Sequence, residues 1–219
     1  GSIQTNRALE IQDEQNLGCA PLPWAIPHPM AMVTNKKTHL FQSNVSHYEM
    51  MRDLNRQWRQ WTIDEPAVFI TFNGMSYDEE LIRRQFYWNL FESYLTNTNG
   101  NSRLDILLMM HNVAAFFPDL LNIPLYKDGP AISLKQADIA EANGIEIGDA
   151  HDAIADCKLM ISLLEIINNQ KPELIDFFLS ISSKPGVQAA VQQPGFLGLG
   201  EVFRREVFKY PVVPCGSMA

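Results

Sequence analysis

The sequence predicts an α/β fold, because segments with the pattern of a buried strand and segments with the pattern of a helix alternate along most of the chain. The clearest strand covers residues 67–72, an almost wholly apolar run that ends at Asn73 and Gly74. Helical patterns lie on both sides of it, over 46–61 and 77–95. A strand between two helices is the repeating unit of α/β domains.

In each of these helices the apolar side chains recur every three or four residues and so share one face. The first face consists of Met51, Leu54, Trp58 and Trp61, and the second of Ile82, Phe86 and Leu90. After a polar turn over 97–102, a helix over 104–117 is apolar on almost every side and is expected to be buried. Ser133 is expected to cap a short helix that Gly144 ends, and the last long helix is predicted over 152–168.

The two ends of the chain depart from this pattern. Residues 1–10 have the pattern of a strand end followed by a polar turn, and four prolines over 20–30 predict an extended surface segment without regular helix. Towards the C-terminus the sequence becomes rich in proline and glycine. The run 195–200 predicts a flexible loop and 202–213 predicts strand. We therefore expect a domain boundary near 170–185.

Composition narrows the classes of protein that fit. Of the 219 residues, 46% are hydrophobic and 19% are charged, which is typical of a compact soluble protein, and neither a membrane span nor a signal segment is found. The three cysteines, Cys19, Cys157 and Cys215, match neither a disulfide framework nor a zinc site and favour a reducing cytoplasm. A net charge of −8 argues against a nonspecific nucleic-acid coat, but not against a nuclease whose carboxylates hold cations.

The last helix carries a candidate functional carboxylate, Asp156. Residues that step by three and four along this helix form a narrow apolar stripe: Ala153, Cys157, Met160, Leu164 and Ile167. At about 100° per residue, Asp156 lies roughly 60° from the centre of this stripe, at the edge of the buried face. A carboxylate there needs a partner. The partner is either a donor or arginine on a neighbouring element or a bound cation.

His151 and Asp152 lie at the start of the same helix. His151 would be about 140° around a helix from Asp156, so the two can share a site only if His151 precedes the helix. Asp152 is better placed to cap the helix N-terminus. A loop histidine is usually a polar surface residue, so His151 alone is weak evidence of catalysis.

Asp78 is the second candidate carboxylate. It follows the strand 67–72 after a short turn, and ligands in open α/β sheets bind beyond the carboxyl ends of strands. The alternative is that Asp78, Glu79 and Glu80 form an acidic first turn that complements the helix dipole. Asp105, at the start of the apolar helix, is expected to be a cap or a partner for Arg103.

Four strings of residues resemble a known family when they are taken together. They are FNGMSYDEE at 72–80, NSRLD at 101–105, ANG at 142–144 and AHDAIAD at 150–156. In this order and rough spacing they resemble the bacterial exodeoxyribonuclease I family, which belongs to the DEDDh branch of the RNase H-like exonucleases. The resemblance runs from the first residues to about Gly216. A histidine and an aspartate five residues apart would be unspecific alone, whereas four strings in order are specific.

The resemblance implies a fold and roles for particular residues. The fold is an RNase H-like (DnaQ-like) exonuclease domain over 1–171, a mixed sheet flanked by helices, followed over 172–219 by the start of an SH3-like β region. Asp78 and Asp156 match metal-binding aspartates and His151 matches the general base. The residues that fall in strings lining the family's substrate groove are Asn73, Ser102 and Arg103.

The implied activity is metal-dependent 3′→5′ hydrolysis of single-stranded DNA, which releases nucleoside 5′-monophosphates and serves DNA repair or recombination. Two Mg²⁺ or Mn²⁺ ions would clamp the scissile phosphate, since hard cations favour carboxylate oxygen. His151 would remove the proton of the attacking water. Single-stranded DNA and single-strand-binding protein are the expected partners, and no membrane is expected.

One family feature is missing from this sequence. The family's first motif, Asp-x-Glu on the opening strand, supplies two of the four metal-binding carboxylates. Glu10, Asp13 and Glu14 do not match it, because they lie too late and in a polar turn, and residues 1–5 resemble the family's second strand instead. The simplest hypothesis is that the chain is a fragment of a longer exonuclease. By itself it is then expected to bind metal poorly and to have little or no activity.

Two other functions are compatible with the sequence. A 3′→5′ exoribonuclease of the same superfamily would use the same carboxylates and differ in how it accommodates the 2′-OH. A non-catalytic nucleic-acid-binding or interaction module would have lost the first motif altogether.

Overall fold

The computed structural model describes residues 1–35, 37–127, 129, 131–148 and 152–215. The strands within these residues are β1 (Ser2–Thr5), β2 (Ile11–Gln15), β3 (Val68–Thr71), β4 (Ser102–Asp105), β5 (Leu197–Phe203) and β6 (Glu206–Val212). The α-helices are α1 (Pro29–Asn35), α2 (His47–Trp61), α3 (Asp78–Trp88), α4 (Ile106–Phe116), α5 (Gln136–Ala142), α6 (Ala153–Gln170), α7 (Pro172–Ser180) and α8 (Lys184–Gln192). None of the helices described is long and apolar enough to cross a membrane.

The strands form three two-stranded sheets among the described residues. β1 and β2 are antiparallel, β5 and β6 form an antiparallel hairpin, and β3 and β4 are parallel. In the parallel pair Val68 lies opposite Ser102, and Thr71 lies opposite Asp105. Parallel strands joined through a helix confirm the predicted α/β class. The expected mixed sheet is divided into separate pairs.

Strand β3 lies between two hydrophobic clusters, so alternate side chains along it enter different clusters. Ile70 packs on the larger cluster, and Phe69 packs on the smaller one between α2 and α3. The buried members of the larger cluster are Ile106, Met109, Met110, Val113, Leu121, Ile139, Leu163, Leu164, Ile167, Leu174, Ile175 and Phe178. Those of the smaller cluster are Met51, Phe86 and Leu95. The carboxyl end of β3 is therefore held by packing on both faces.

Several predicted elements are confirmed. Helix α2 begins after Ser46, whose hydroxyl accepts a hydrogen bond from the Glu49 N–H at 3.2 Å, while the Glu49 carboxylate accepts from the Ser46 N–H at 2.8 Å. This capping box fixes where the helix starts. Helix α4 is buried as predicted, with Ile106 wholly inaccessible to solvent. The proline-rich segment stays irregular until Pro29, which begins α1 at a position where proline is tolerated.

Helix α3 is shorter than predicted, because it ends at Trp88 rather than near residue 95. Leu90 has a φ of 61°, and the N–H of Phe91 donates to the carbonyl of Phe86 at 2.8 Å. This is a left-handed helix end, which satisfies the last helical carbonyls. The turn leaves Leu90 93% exposed and places Phe91 against Phe86 in the smaller cluster. The predicted core position of Leu90 was therefore wrong.

Strand β4 was not predicted. The sequence pattern places Ser102 in a polar turn and Leu104 in a helix, but both lie in a strand, and α4 begins only at Ile106. The strand has four residues and two charged side chains, so it has no apolar alternation of its own. It forms because its backbone pairs with β3 and because Leu104 packs on the larger cluster.

The glycine-rich run predicted as a flexible loop contributes Leu197–Gly200 to β5, so that prediction was wrong for these residues. The strand passes close to α4: a Cβ on Gly200 would lie 2.7 Å from the carbonyl oxygen of His111. Glycine is required there by the approach of strand to helix rather than by flexibility. The strand predicted over 202–213 is confirmed as the rest of β5 together with β6.

Helix α6 buries a broader face than the predicted stripe. The side chains that it buries are Ile154, Leu159, Leu163, Leu164 and Ile167. Helices α5 and α7 and strand β1 all pack on α6, which explains why more than one stripe is covered. Cys157 is only partly buried and Asp156 is exposed. The predicted place of Asp156 at the edge of the core was therefore wrong.

Helix α5 begins at Gln136, directly after Lys135, so Ser133 is not its N-cap. The Ser133 hydroxyl donates instead to the carboxylate of Asp138, one turn into the helix. Gly144 ends the helical segment as predicted, with a φ of 72° that favours glycine.

Helix α7 belongs to the same core as the rest of the domain. It begins with Pro172 in its first turn and packs against α6. Its buried side chains, Leu174, Ile175 and Phe178, are members of the larger cluster. The boundary between 1–171 and 172–219 stays a prediction. Helix α7 shares its hydrophobic core with the residues before 172.

The hairpin of β5 and β6 is attached to α4 through a histidine. The Val202 N–H donates to Nδ1 of His111 at 3.3 Å. Burial lowers the pKa of His111, against the opposing effects of Glu201 and Asp105. The folded state thus favours the neutral imidazole. The stability that it contributes is present above the ordinary histidine pKa of about 6.5 and is lost as the pH falls below that value.

We expect acidification to destabilise this attachment. Between about pH 7.5 and about pH 5.5, the free energy of unfolding measured in urea should fall more in the wild type than in His111→Gln. Glutamine offers an acceptor to the Val202 N–H but does not titrate. An equal pH dependence in the two proteins would show that His111 does not control the attachment.

Candidate active site

The carboxyl ends of β3 and β4 lie side by side and form the base of the candidate site. Thr71 and Asp105, the last residues of the two strands, are neighbours in the parallel register. Beyond β3 the chain continues through residues 72–77 into α3, whose first residue is Asp78. Asp78 therefore lies beyond the carboxyl end of a strand, where ligands bind in open α/β sheets.

The turn between β3 and α3 is tight. Asn73 has a φ of 60°, a conformation that asparagine tolerates better than most residues. A Cβ on Gly74 would lie 2.4 Å from the Cβ of Thr71, so only glycine fits there. The Gly74 carbonyl accepts from the N–H groups of Tyr77 at 3.2 Å and Glu79 at 2.9 Å. These bonds join the turn to the first turn of α3.

Asp105 holds the same turn from the end of β4. Its carboxylate is buried, with 5% of the residue exposed. Oδ1 accepts from the N–H groups of Asn73 at 2.7 Å and Leu107 at 3.0 Å, and Oδ2 accepts from the Met75 N–H at 3.1 Å. The bond to Leu107 confirms the predicted cap of α4. The alternative prediction, a pair with Arg103, was wrong.

Asp78 carries a partly buried carboxylate at the start of α3. Partial burial raises the pKa of this carboxyl group above its usual range, and the carboxylates of Asp105 and Glu79 raise it further. The amino group of Gly1 opposes this rise without cancelling it. Negative charge concentrated in this way favours a cation close to Asp78.

Glu79, the next residue, points into the protein. Its buried carboxylate accepts from the Thr96 hydroxyl at 2.9 Å and from Nη1 of Arg103 at 3.1 Å. Arg103 belongs to β4, so this ion pair ties the first turn of α3 to the strand beside it. The sequence had allowed Glu79 to be an exposed complement to the helix dipole. Its carboxylate is instead buried and paired inside the protein.

Asp152 caps α6, as predicted. Its Oδ2 accepts from the Ala155 N–H at 3.4 Å, and its Oδ1 pairs with Nζ of Lys37 at 3.0 Å. The hydrogen bond from Lys37 is the main reason that the pKa of Asp152 lies below its usual range. His151, the predicted general base, lies outside the described residues.

Asp78 and Asp156 approach one part of the protein from two helices. Asp156 is exposed in the first turn of α6. Burial raises the pKa of the neighbouring Cys157 thiol. The charges of Asp156 and Asp78 both add to that rise, and the amino group of Gly1 opposes it. Both charges act on the same thiol, so the starts of α3 and α6 are linked electrostatically at Cys157.

The ligands present fit a hard divalent cation in part. Asp78 and Asp156 offer carboxylate oxygens, which Mg²⁺ and Mn²⁺ prefer. Within the part of the chain that the structure describes, no group of three or more His, Cys, Asp or Glu side chains could hold a metal ion. Asp78 and Asp156 are therefore two candidate ligands among the described residues, which do not form a full coordination shell.

The three residues predicted to contact substrate are not brought together. Asn73 lines a cleft of about 540 Å³, and the cationic side chains of Lys135 and Arg205 line it too. Ser102 and Arg103 are held by hydrogen bonds within the protein and are not among the described residues that line this cleft. Their substrate contacts stay predictions.

Sequence reasoning missed the internal roles of Asp105 and Glu79. Asp105 binds N–H groups about thirty residues earlier in the chain, and Glu79 pairs with a residue 24 positions later. Neither contact has a local signature. Recognition of β4 as a strand would have placed Asp105 beside the turn that follows β3, because parallel strands end at the same edge.

No protein-family model matches the chain. It is 28% identical over 184 residues to exodeoxyribonuclease I of Buchnera aphidicola subsp. Acyrthosiphon pisum, a match that covers 83% of this chain and 44% of that protein. It is 32% identical over 136 residues to the Escherichia coli (strain K12) enzyme, covering 61% and 28%. The chain is thus similar to bacterial exodeoxyribonuclease I over part of that enzyme's length. It spans less than half the length of these two relatives.

Solved structures of E. coli exonuclease I match the fold. The complex with a dT13 oligonucleotide has a TM-score of 0.81 at 22% identity, over 96% of this chain and 47% of that one. The ExoI/SSB-Ct complex has a TM-score of 0.79 at 22% identity, over 96% and 46%. The zinc-bound form of the ExoI–ssDNA complex has a TM-score of 0.76 at 23% identity, over 88% and 41%. The predicted exonuclease fold is confirmed.

Proposed function

We propose that this protein is a metal-dependent 3′→5′ exonuclease that hydrolyses single-stranded DNA to nucleoside 5′-monophosphates. The observation that carries the proposal is that Asp78 and Asp156, at the starts of α3 and α6, both act electrostatically on the Cys157 thiol, together with the position of His151 in the sequence just before the cap of α6. The similarity to exodeoxyribonuclease I supports the reaction, and the oligonucleotide bound to E. coli exonuclease I supports the substrate.

Asp78 and Asp156 are proposed to hold Mg²⁺ or Mn²⁺, with two ions in the complete site. A nearby cation would offset the burial and the neighbouring carboxylate charges that raise the pKa of Asp78. The zinc-bound E. coli structure supports a metal site without identifying the metal used in catalysis. When bound, such ions supply Lewis-acid activation of water and stabilise charge on the leaving 3′ oxygen. Without Asp-x-Glu carboxylates, these 219 residues alone are expected to bind metal weakly and to hydrolyse DNA little.

The residues of the chain divide the remaining work. His151 would accept the proton of the attacking water, a role that suits histidine because the side chain exchanges protons near neutral pH. Asp152 would stabilise the start of α6 through its cap and its pair with Lys37. The Gly74 turn would fix the approach of Asp78 to the site.

The cleft lined by Asn73 is proposed to hold the DNA backbone. Lys135 and Arg205 give it positive charge, which attracts phosphates even in a protein with a net charge of −8. For Ser102 or Arg103 to contact DNA, each would have to exchange its present internal partner. Their proposed roles therefore depend on a rearrangement that the role of Asn73 does not need.

The proposed partners are single-stranded DNA and single-strand-binding protein, the latter because the fold matches the ExoI/SSB-Ct complex. The free thiols of Cys19, Cys157 and Cys215 favour a reducing compartment such as the cytoplasm. A role in DNA repair or recombination stays a prediction.

An end-labelling assay tests this function, with protein expressed from its whole gene. With Mg²⁺, a 5′-labelled single strand should shorten stepwise, and a 3′-labelled strand should lose its label at once as a mononucleotide. Duplex DNA of the same sequence should resist, and EDTA should stop the reaction. Loss of the 5′ label first, or internal cleavage, would contradict the proposal.

The same assay separates the two alternatives. An RNA oligomer degraded faster than the DNA oligomer would identify an exoribonuclease that accommodates the 2′-OH. Binding of single-stranded DNA without any hydrolysis in Mg²⁺ or Mn²⁺ would identify a non-catalytic module.

A further inference from the structure

We infer that Asp105 is a positioning residue for the reaction, because its buried carboxylate fixes the turn that places Asp78 in the site. The inference rests on the proposed function. Asp105 itself points into the turn and to the start of α4, and so acts through the backbone rather than on substrate.

The carboxylate of Asp105 is fully engaged by backbone donors. Three N–H groups converge on it: Asn73 at 2.7 Å, Met75 at 3.1 Å and Leu107 at 3.0 Å. A cap of α4 requires only the bond to Leu107. The other two bonds leave the helix and cross to the turn after β3, so capping does not account for them.

The clamped turn leads directly to Asp78. Asp105 fixes the N–H groups on either side of Gly74, and the Gly74 carbonyl accepts from the N–H of Glu79 at 2.9 Å. The backbone of Asp78 is therefore connected to β4 by consecutive hydrogen bonds. A carboxylate that shares a metal with Asp156 must be placed within a fraction of an ångström, since misplacement by about 1 Å can cost a hundredfold in rate.

One substitution separates the clamp from the cap. In Asp105→Asn the amide oxygen can keep the Oδ1 contacts, including the cap to Leu107, because asparagine is as good an N-cap as aspartate. The amide nitrogen then replaces Oδ2 and faces the Met75 N–H, donor against donor. Asp105→Ala removes all three contacts. Ser46→Ala, which removes the capping box of α2, is a control for the loss of a cap.

The experiment measures kinetics, Mn²⁺ affinity and amide exchange in the protein expressed from its whole gene. For Asp105→Asn we expect kcat to fall about tenfold or more while the KM for single-stranded DNA stays within about twofold. Mn²⁺ affinity should weaken, and the Met75 amide should exchange faster than in the wild type. Ser46→Ala should change none of these properties beyond its effect on stability.

The outcomes distinguish the inference from the proposed function. Wild-type kcat, Mn²⁺ affinity and Met75 exchange in Asp105→Asn would overturn the positioning role even if the wild type digests DNA. An inactive wild type would overturn the proposed function, whereas Mn²⁺ affinity and Met75 exchange would still decide the role of Asp105. Equal losses in Ser46→Ala would show that any lost cap has the same effect, and would also overturn the inference.

Discussion

Replacement of Asp78 or Asp156 by asparagine is expected to lower the kcat for single-stranded DNA by roughly a thousandfold or more. Asparagine preserves the size of the side chain and removes its charge. Asp78 lies beyond the carboxyl end of β3 and makes no salt bridge with a side chain among the described residues, and Asp156 is exposed in the first turn of α6. Removal of either charge should weaken the hold on cations while it leaves the core intact.

Asp152→Asn is the matched control for this experiment. Asp152 lies four residues before Asp156, and asparagine can replace it as the cap of α6. We expect this variant to keep nearly wild-type kcat. It should lose some stability, because asparagine cannot form the ion pair with Lys37. If Asp152→Asn lost as much turnover as Asp156→Asn, the two aspartates would have been assigned the wrong roles.

Arg103→Met is expected to lower the free energy of unfolding by about 2 to 3 kcal/mol. The substitution leaves the buried carboxylate of Glu79 with only the hydroxyl of Thr96 as a side-chain donor. An uncompensated buried charge is strongly destabilising. The expected loss is at the low end for a buried pair because the Arg103 side chain is 27% exposed and water can partly replace it. Urea unfolding of the two proteins at pH 7 measures the difference.

A double-mutant cycle supplies the control. Glu79→Gln in the Arg103→Met background removes the unpaired charge and should recover part of the lost stability. The salt dependence of DNA binding tests the other role predicted for Arg103. A direct phosphate contact would reduce the salt slope in Arg103→Met and leave it unchanged in Glu79→Gln. Loss of less than about 0.5 kcal/mol in Arg103→Met would contradict the internal ion pair.

The sequence predicted elements well where one local pattern determined them. The apolar run of β3, the helical pattern of α2 and the cap at Asp152 each depend on neighbouring residues. Elements that depend on distant contacts were missed. Strand β4 exists because β3 pairs with it, and Gly200 lies in a strand because β5 pairs with β6. Leu90 is exposed because its backbone adopts the left-handed conformation that ends α3.

The site shows the same division. The position of Asp78 after β3 followed from the sequence, since the end of a strand and the start of a helix are both local features. Its proximity to Asp156 depends on packing between elements more than seventy residues apart, and the sequence supplied it only through a family resemblance. The clamp made by Asp105 could not be predicted without β4. The family resemblance suggested Arg103 as a substrate contact. Its salt bridge with Glu79, which lies in a different string, was not evident from the sequence.

A Mn²⁺ titration tests most directly the claim that Asp78 and Asp156 hold one metal site. The fraction of free Mn²⁺ would be measured by electron paramagnetic resonance for the protein expressed from its whole gene. The variants are Asp78→Asn, Asp156→Asn, the double variant and Asp152→Asn. We expect each single variant to bind Mn²⁺ more weakly than the wild type. The double variant should lose little more Mn²⁺ affinity than either single variant, and Asp152→Asn should bind Mn²⁺ as the wild type does. Wild-type Mn²⁺ affinity in both Asp78→Asn and Asp156→Asn would contradict the claim of one metal site.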